Sequence, residues 1–410
     1  MNQNKDTKKC LMIVGAGEEQ IYAYKLAKKM GLYVVGTDKN PDAPGFNYAD
    51  KILIASTRNA DETLYYAKIF NKSRKINGVI TLANDVPYTI AKVANDLNLP
   101  SISIQTAKIS SNKLIMKKLF LENGIPSPSF EEVFSSIDIK NKIEKWGYPI
   151  IIKPIDGRGS RGVLRITEDI DLDWAFEFSK KFSDKGFIIA EKFVDGSQLS
   201  TESIVYKGIC YTSIVTSRNY EYLEKYKPFI VENGGLAPAN LSKKEIDDVH
   251  KLLEKVANSL KIYNGTIKGD LVLSSNGPQI IEVATRLSGG YLCTDQIPMT
   301  TGIDLVEQTI KLSLGEELDI NQLFPQDLCK LAIRYFFAEP GIVKKIIGFD
   351  ELENFDWIVK KKLFIKVGDK IGEMDGTNSK IGFIHAMGDT HKESLDRALK
   401  AISTVRIITE

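Results

Sequence analysis

Two glycine-rich stretches contain the residues best suited to chemistry, and the first of them suits a phosphate group. In residues 148–163, YPIIIKPIDGRGSRGV, an apolar run ends at Lys153, and a loop with Gly157, Gly159 and Gly162 follows. Glycines let the backbone approach an anion and direct N–H groups toward it, and Lys153 would add a positive charge. The pattern predicts a strand, a glycine loop and a second strand. A surface hairpin whose glycines serve only the turn is the alternative.

The second stretch, residues 265–290, places two carboxylates on a predicted hairpin. Its strands are expected at 269–273 and 278–283, and they carry Asp270 and Glu282 respectively. Two carboxylates on neighbouring strands can converge on one cation. Mg²⁺ prefers such a pair together with substrate phosphates. Taken alone, the stretch is better explained as an ordinary hairpin with solvent-facing acids.

Composition limits the partners of these two stretches. The chain has 410 residues, enough for two or three domains, and a net charge of +2, which gives no general attraction to nucleic acid or membranes. The apolar run at 10–14 is too short for a signal peptide, and no stretch approaches the roughly 18 apolar residues of a membrane span. We therefore expect a cytoplasmic protein that acts on small molecules.

Cysteine and histidine give little support to metal or nucleophile chemistry. The four cysteines are scattered without metal-binding spacing, and we expect reduced thiols. The three histidines form no cluster in the sequence, so a histidine-based zinc site or a Ser/His/Asp triad is poorly supported.

The first part of the chain predicts a βαβ unit with a strand at 8–14, a helix and a strand at 32–36. Gly15 and Gly17 match two glycines of a dinucleotide fingerprint, and Asp38 lies where a ribose-binding acid would be. The third glycine is absent, so NAD binding is the weaker interpretation. Residues 84–85 follow a later strand, where a helix cap is favoured over a ligand contact.

Together, the glycine loop and the carboxylate hairpin resemble the ATP-grasp superfamily, and the resemblance covers nearly the whole chain in the right order. It is strongest to carboxylate–amine ligases, which include bacterial L-amino-acid ligases, and weaker to biotin carboxylase and the purine-pathway enzymes. Many superfamily members have the motif Glu-x-Asn-x-Arg, whereas this chain has Glu282, Ala284 and Arg286. Alanine cannot ligate a metal, which argues against close kinship with biotin carboxylase and leaves the number of metals open.

The resemblance implies a mixed α/β and α+β fold of four parts. These are an N-terminal βαβ pre-ATP-grasp domain at 1–111, a lid at 112–190, a C-lobe with the metal site at 191–325 and an α+β cap at 326–410. A homodimer formed through the first and last parts is a further expectation from the resemblance.

The resemblance also assigns roles to individual residues. Phosphate contacts are expected from Lys113, Lys153, Gly159, Ser160 and Gly162. Contacts to adenine or ribose are expected around a hinge, from Glu191, Lys192, Val194 and Glu202. Mg²⁺, which Mn²⁺ could replace, is expected on Asp270 and Glu282. The catalytic roles fall to Lys153 and Arg286, the latter holding a substrate carboxylate or the transferring phosphate.

The implied reaction is ATP-dependent ligation of a carboxylate to an amine through an acyl phosphate, with ADP and phosphate as products. Alternatives are activation of bicarbonate or formate, a non-catalytic nucleotide-binding protein, and an NAD oxidoreductase. Residues 217–242 predict a long irregular loop facing the substrate, which carries Arg218, Tyr220, Tyr222 and Glu232. The sequence does not identify the acid, the amine or the pathway.

Overall fold

The computed structural model describes residues 8–376 and 379–410, and in these ranges the chain forms four β-sheets with helices packed on them. The strands are β1 Cys10–Val14, β2 Tyr33–Asp38, β3 Lys51–Ile54, β4 Gly78–Ile80, β5 Phe130–Val133, β6 Ile150–Pro154, β7 Leu164–Ile166, β8 Ile188–Lys192, β9 Ser197–Tyr206, β10 Ile209–Arg218, β11 Gly235–Ala237, β12 Gly265–Ser274, β13 Gly277–Ala284, β14 Lys330–Phe336, β15 Gly341–Ile347, β16 Ile358–Leu363, β17 Lys370–Ile371, β18 Gly382–Gly388 and β19 Arg406–Thr409. The α-helices are α1 Ile21–Lys29, α2 Ala60–Ser73, α3 Pro87–Asp96, α4 Ile104–Ser110, α5 Lys113–Glu122, α6 Ser136–Trp146, α7 Leu172–Lys180, α8 Lys243–Ser259, α9 Ile297–Thr301, α10 Leu305–Ser313 and α11 His391–Thr404. The predicted mixed α/β and α+β fold class is confirmed.

The N-terminal sheet is parallel, with the strand order β3-β2-β1-β4, and it contains the predicted βαβ unit. All residues of β1 are apolar and buried, which is typical of a strand covered on both faces of its sheet. The turn after β1 is held by two bonds. Gly15 N–H donates to Thr37 O at 2.8 Å, and Ala16 N–H donates to Asp38 Oδ2 at 2.9 Å.

The lid sheet is antiparallel, with the order β5-β8-β6-β7, and it includes the predicted strand, glycine loop and strand. Strands β6 and β7 pair with Ile150 opposite Ile166, and the glycine loop between them is residues 155–163. Gly162 has a φ of +73°, and a Cβ there would lie 2.8 Å from the Phe182 ring. The loop therefore needs glycine at this position both for its backbone conformation and for space.

The largest sheet has eight strands, in the order β13-β12-β9-β10-β11-β14-β18-β16. The last three lie within 326–410, so strands of the expected cap extend the sheet of the C-lobe. Strand β11 joins the two parts, with Leu236 opposite Ala332 of β14. The prediction that 217–242 is irregular throughout is wrong at β11, because a three-residue strand is too short to produce an alternating pattern.

Helices α5 and α8 fix the β12–β13 hairpin in place. Helix α8 begins with a capping box in which Ser242 and Glu245 exchange hydrogen bonds. Its apolar face, which includes Val249, Leu253 and Val256, is buried in a core shared with Phe120 of α5 and Ile280 of β13. The helix that carries Lys113 is thus packed against the hairpin that carries the two carboxylates. None of the helices in the described ranges is long and apolar enough to cross a membrane.

Candidate active site

A cleft between the lid and the large sheet contains two adjoining cavities. One has a volume of about 380 Å³ and lies beside β8 and the residues that follow it; we call it the hinge cavity. The other has a volume of about 360 Å³ and lies toward the N-terminal sheet; we call it the polar cavity. Both cavities are bordered by Lys113, Gly157, Gly159, Ser160, Arg218, Asp270 and Glu282.

The hinge cavity combines an apolar lining with the chain segment that ends β8 and follows it. Lys192 and Val194, the predicted adenine contacts, both border it. Its apolar lining includes Ile151, Phe193, Leu199, Val272 and Ile281. Apolar side chains on two sides of a narrow slot can pack on the faces of a planar base, as in many small-molecule sites.

Lys113 connects the three elements that surround the cleft. It begins α5, which is capped by Asn112, whose side-chain oxygen accepts from Ile115 N–H at 3.0 Å. The ammonium group of Lys113 donates to Gly157 O at 2.7 Å and lies 3.1 Å from Glu282 Oε2. The lysine predicted for phosphate therefore stands between the glycine loop and the hairpin.

Lys153 lies beside the hinge cavity and shares a carboxylate with a second lysine. Its Nζ is 2.7 Å from Glu191 Oε1, and Lys117 Nζ is 2.8 Å from the same oxygen. Glu191 borders the cavity and its carboxylate contacts these lysines, so its role as a partner of adenine or ribose stays a prediction. Lys117 was missed, although its position one helical turn after Lys113 could have indicated it.

The prediction for Glu202 is corrected. Its side chain is completely buried, and it accepts hydrogen bonds from Ser288 N–H, at 2.9 Å, and from the Ser288 hydroxyl. In the described part of the chain it borders neither cavity. Burial raises the pKa of Glu202 to about 7, against the lowering effect of the bonds from Ser288.

The two hairpin carboxylates lie directly opposite each other, since Asp270 of β12 pairs in register with Glu282 of β13. Asp270 contacts Lys268 Nζ, and its Oδ1 lies 3.3 Å from Arg218 Nη2. Burial favours a raised pKa for Asp270, but Arg218 and Lys268 hold the pKa below its ordinary value. Likewise, desolvation favours a raised pKa for the partly exposed Glu282, but Lys113 holds the pKa below its ordinary value. Both groups are therefore charged at neutral pH.

This hairpin fits a magnesium ion. Within the ranges that the structure describes, no group of three or more His, Cys, Asp or Glu side chains is suited to a metal. Mg²⁺ needs only one or two carboxylates when phosphates and water complete its octahedron. Asp270 Oδ1 is buried without a hydrogen-bond partner in the described ranges, so it has a lone pair to offer. Ala284 borders the polar cavity and offers no ligand.

Arg286 is bound by an acid of the N-terminal domain. Its Nε and Nη2 both lie 2.6 Å from Asp85 Oδ1, and both side chains border the polar cavity. The expectation that residues 84–85 cap a helix is wrong, because the cap residue of α3 is Val86 and makes no side-chain cap bond. The partners are 201 residues apart, so no local pattern could indicate their contact.

The far wall of the polar cavity carries opposite charges. Glu232 Oε2 lies 3.0 Å from the ammonium of Lys380, which also lies 3.6 Å from the centre of the Tyr335 ring. Arg218 borders both cavities and donates to the Tyr220 hydroxyl at 3.3 Å. Lys380 was not among the predicted site residues.

One residue predicted in the same segment lies elsewhere. Tyr222 packs edge-on against Tyr226 and Phe337. It is not among the described residues that border the two cavities.

The glycine turn of the N-terminal sheet is arranged for packing rather than for a dinucleotide. Asp38 accepts from Ala16 N–H, so its carboxylate is engaged by its own turn. Glu18 and Glu19 occupy the start of the helix after this turn, where a pyrophosphate would need positive potential. Glu19 accepts from Gly290 N–H at 2.7 Å. These contacts disfavour the NAD interpretation.

Comparison with models of protein families identifies two domains in the chain. A model of the ATP-grasp domain matches residues 110–290, and a model of the L-amino acid ligase C-terminal domain 2 matches residues 334–410. The chain thus contains an ATP-grasp domain. The first match spans the glycine loop and the hairpin, and the second includes β18 and α11.

Solved structures and sequences of other ATP-grasp proteins are similar over nearly the full length. The L-amino acid ligase of Bacillus licheniformis has a TM-score of 0.84 and 22% identity, covering 98% of this chain and 99% of that one. A phosphoribosylamine–glycine ligase of Methanococcus maripaludis is 22% identical over 97% of this chain and 94% of its own length. A biotin carboxylase domain of Hydrogenobacter thermophilus, solved with MgADP and bicarbonate, has a TM-score of 0.73 and 15% identity, covering 98% and 91%. The chain accordingly shares the fold of these ATP-grasp proteins over nearly its whole length, and its matched domains are those of an ATP-grasp ligase.

Proposed function

We propose that this ATP-grasp enzyme joins the carboxylate of an amino-acid-type substrate to an amine through an acyl phosphate, releasing ADP and phosphate. One observation carries the proposal. The hinge cavity has an apolar lining, the polar cavity has an arginine and side chains of both charges, and Lys113, the glycine loop and the two carboxylates border both. A nucleotide laid from the hinge cavity toward the hairpin would bring its terminal phosphate to the polar cavity.

Each group beside the phosphates has a defined task. Lys113, Lys153 and the backbone of the glycine loop would hold the phosphate oxygens. Asp270 and Glu282 would hold Mg²⁺, which, when bound, neutralises charge on the transferring phosphoryl group. Positioning and electrostatic stabilisation supply most of the catalysis in such a transfer.

The proposed reaction then has two steps, phosphoryl transfer to the carboxylate and attack by the amine. A substrate carboxylate oxygen bonds to the γ-phosphorus of ATP while the bond from that phosphorus to the β–γ bridging oxygen breaks, and ADP leaves. The amine nitrogen next bonds to the acyl carbon and loses a proton, and phosphate leaves. Arg286, held by Asp85, is placed to bind the reacting carboxylate or the transferring phosphoryl group. The glycine loop over the phosphates would keep water from the acyl phosphate.

The pocket favours an amino acid as the substrate. Arg218 and Glu232 border the polar cavity with opposite charges, which match the carboxylate and ammonium groups of a zwitterion. Bicarbonate or formate needs neither contact.

Phosphate release from MgATP tests this function. The purified protein is incubated with pooled amino acids or with bicarbonate, and Glu282→Ala serves as the control for contaminating ATPases. Release with amino-acid pools only, together with a condensed product by mass spectrometry, is the expected result. Release with bicarbonate alone would move the enzyme to the carboxylating branch. Nucleotide binding without turnover in any pool would support a non-catalytic binder.

The division of the chain at 111, 190 and 325 and the assembly of a homodimer remain predictions. Sedimentation of the purified protein tests the second, since a monomer at micromolar concentration would contradict it.

A further inference from the structure

Three charged side chains meet behind the hinge cavity with almost no access to solvent. Lys117 of α5 is completely buried, Lys153 is 3% exposed and Glu191 is 2% exposed. Both lysines approach the same carboxylate oxygen, at 2.8 Å and 2.7 Å. We call these residues the lysine pair and its shared carboxylate.

The group carries one positive charge more than its carboxylate can balance. An unbalanced charge in a buried place is unfavourable unless an anion compensates it. Lys153 and Glu191 border the hinge cavity, whereas Lys117 does not among the residues described. The uncompensated charge can therefore meet a ligand through Lys153, and Lys117 can influence that ligand only indirectly.

Beyond Glu191, Lys117 has a weak contact with an aromatic ring. Its ammonium lies 5.7 Å from the centre of the Phe130 ring, at the outer limit of a cation–π contact. Burial lowers the pKa of Lys117 to about 8, although Glu191 opposes this shift. A purely structural position in a helix core would be served better by an apolar side chain, since burying an ammonium is unfavourable.

We propose that Lys117 is a positioning residue for the nucleotide, which shares Glu191 with Lys153 and so prevents this carboxylate from neutralising Lys153. Without Lys117, Glu191 would pair one-to-one with Lys153, reducing its charge and drawing its ammonium away from the phosphates. The inference rests on the proposed function at one point, namely that Lys153 contacts phosphate.

The test compares nucleotide affinity with the charge of the group. Calorimetric titration with MgADP is performed on the wild type, Lys117→Met, Glu191→Gln and the double variant. In that order, the net charge of the three-residue group is +1, 0, +2 and +1. We expect Lys117→Met to weaken MgADP binding by on the order of tenfold, because one unit charge near the phosphates is removed. The double variant should regain most of that loss, because the net charge is restored.

A matched control is the next residue. Lys118 lies on the exposed side of α5 and pairs with Glu132 at 2.8 Å, so Lys118→Met should leave MgADP affinity unchanged. Thermal unfolding of every variant separates charge from folding, and Lys117→Gln replaces the methionine variant if the latter does not fold.

The outcomes are distinct. Equal weakening in Lys117→Met and the double variant, or affinity that follows thermal stability instead of charge, would overturn the role of Lys117 while leaving the proposed function intact. A wild-type protein that binds no MgADP would overturn the proposed function itself, and the inference with it.

Discussion

Asp85 and Arg286 join the N-terminal domain to the hairpin, with Asp85 Oδ1 2.6 Å from two nitrogens of the guanidinium. Leu82 and Leu287 form a parallel bridge beside this pair. The orientation of Arg286 therefore depends on a domain that contributes little else to the nucleotide side of the cleft. With the role proposed for Arg286, this contact would make the N-terminal sheet a part of the reaction centre.

Removing the charge of Asp85 is expected to impair use of the acid substrate. In Asp85→Asn the guanidinium loses its ionic partner and its fixed orientation, so kcat/KM for the acid should fall about 10- to 100-fold. KM for ATP should change much less. Steady-state kinetics with each substrate varied in turn checks this. Asp96→Asn, which removes the partner of the exposed Lys68, is the control and should match the wild type.

Loss of charge at the phosphates should be far more severe. Lys153→Ala and Glu282→Ala are each expected to reduce kcat by about 10³-fold or more, because preorganised charge is the main contribution to phosphoryl transfer. Lys145→Ala, at an exposed lid lysine that pairs with Glu131, should behave normally. Near-normal turnover in either of the first two variants would contradict the assigned roles.

Metal removal should abolish turnover, and the hairpin carboxylates should determine the Mg²⁺ concentration that the enzyme needs. Chelation of Mg²⁺ by EDTA should stop phosphate release, and Mg²⁺ or Mn²⁺ should restore it. In Asp270→Asn one anionic ligand is lost, so the Mg²⁺ concentration for half-maximal activity should rise about 10- to 100-fold. Asp248→Asn, on the surface of α8 beside Lys251, is the matched control. An unchanged Mg²⁺ requirement in Asp270→Asn would exclude Asp270 as a ligand.

Glu202 should make stability depend on pH in an unusual direction. Its folded pKa of about 7 lies above the ordinary value of 4.5, so the folded protein binds this proton more tightly than the unfolded chain. This contribution to the free energy of unfolding is complete below pH 4.5 and is lost as the pH rises through 7. In Glu202→Gln the free energy of unfolding should therefore fall less, by on the order of 2 kcal/mol, between pH 5 and pH 8. Urea unfolding at several pH values measures the difference, and parallel curves for the two proteins would refute it.

Local patterns were sufficient for much of the fold and for part of the site. The βαβ unit, the strands around the glycine loop and the β12–β13 hairpin follow from alternation and turn residues over short distances. The role of Lys113 followed from the family resemblance, since its local pattern shows only the start of a helix. The family resemblance supplied the order of the parts.

The sequence was a poor guide to those side chains whose surroundings depend on tertiary packing. Glu191 and Glu202 lie on strands with neighbours on both sides, so their position in the chain does not reveal which side is buried. Lys117 and Asp85 owe their surroundings to residues far away in sequence. Lys380 borders the polar cavity but lies about 100 residues after the hairpin in the sequence.

The residues that border the two cavities come from different parts of the sequence. Of the residues that the structure describes, those bordering the hinge cavity all precede position 283, whereas the polar cavity is also lined by Ile333, Tyr335 and Lys380. During synthesis on the ribosome, the components of the nucleotide site thus emerge before those that would select a substrate. A chain interrupted between these points would lack part of its substrate wall, and we expect it to be unable to ligate even if it could still bind nucleotide.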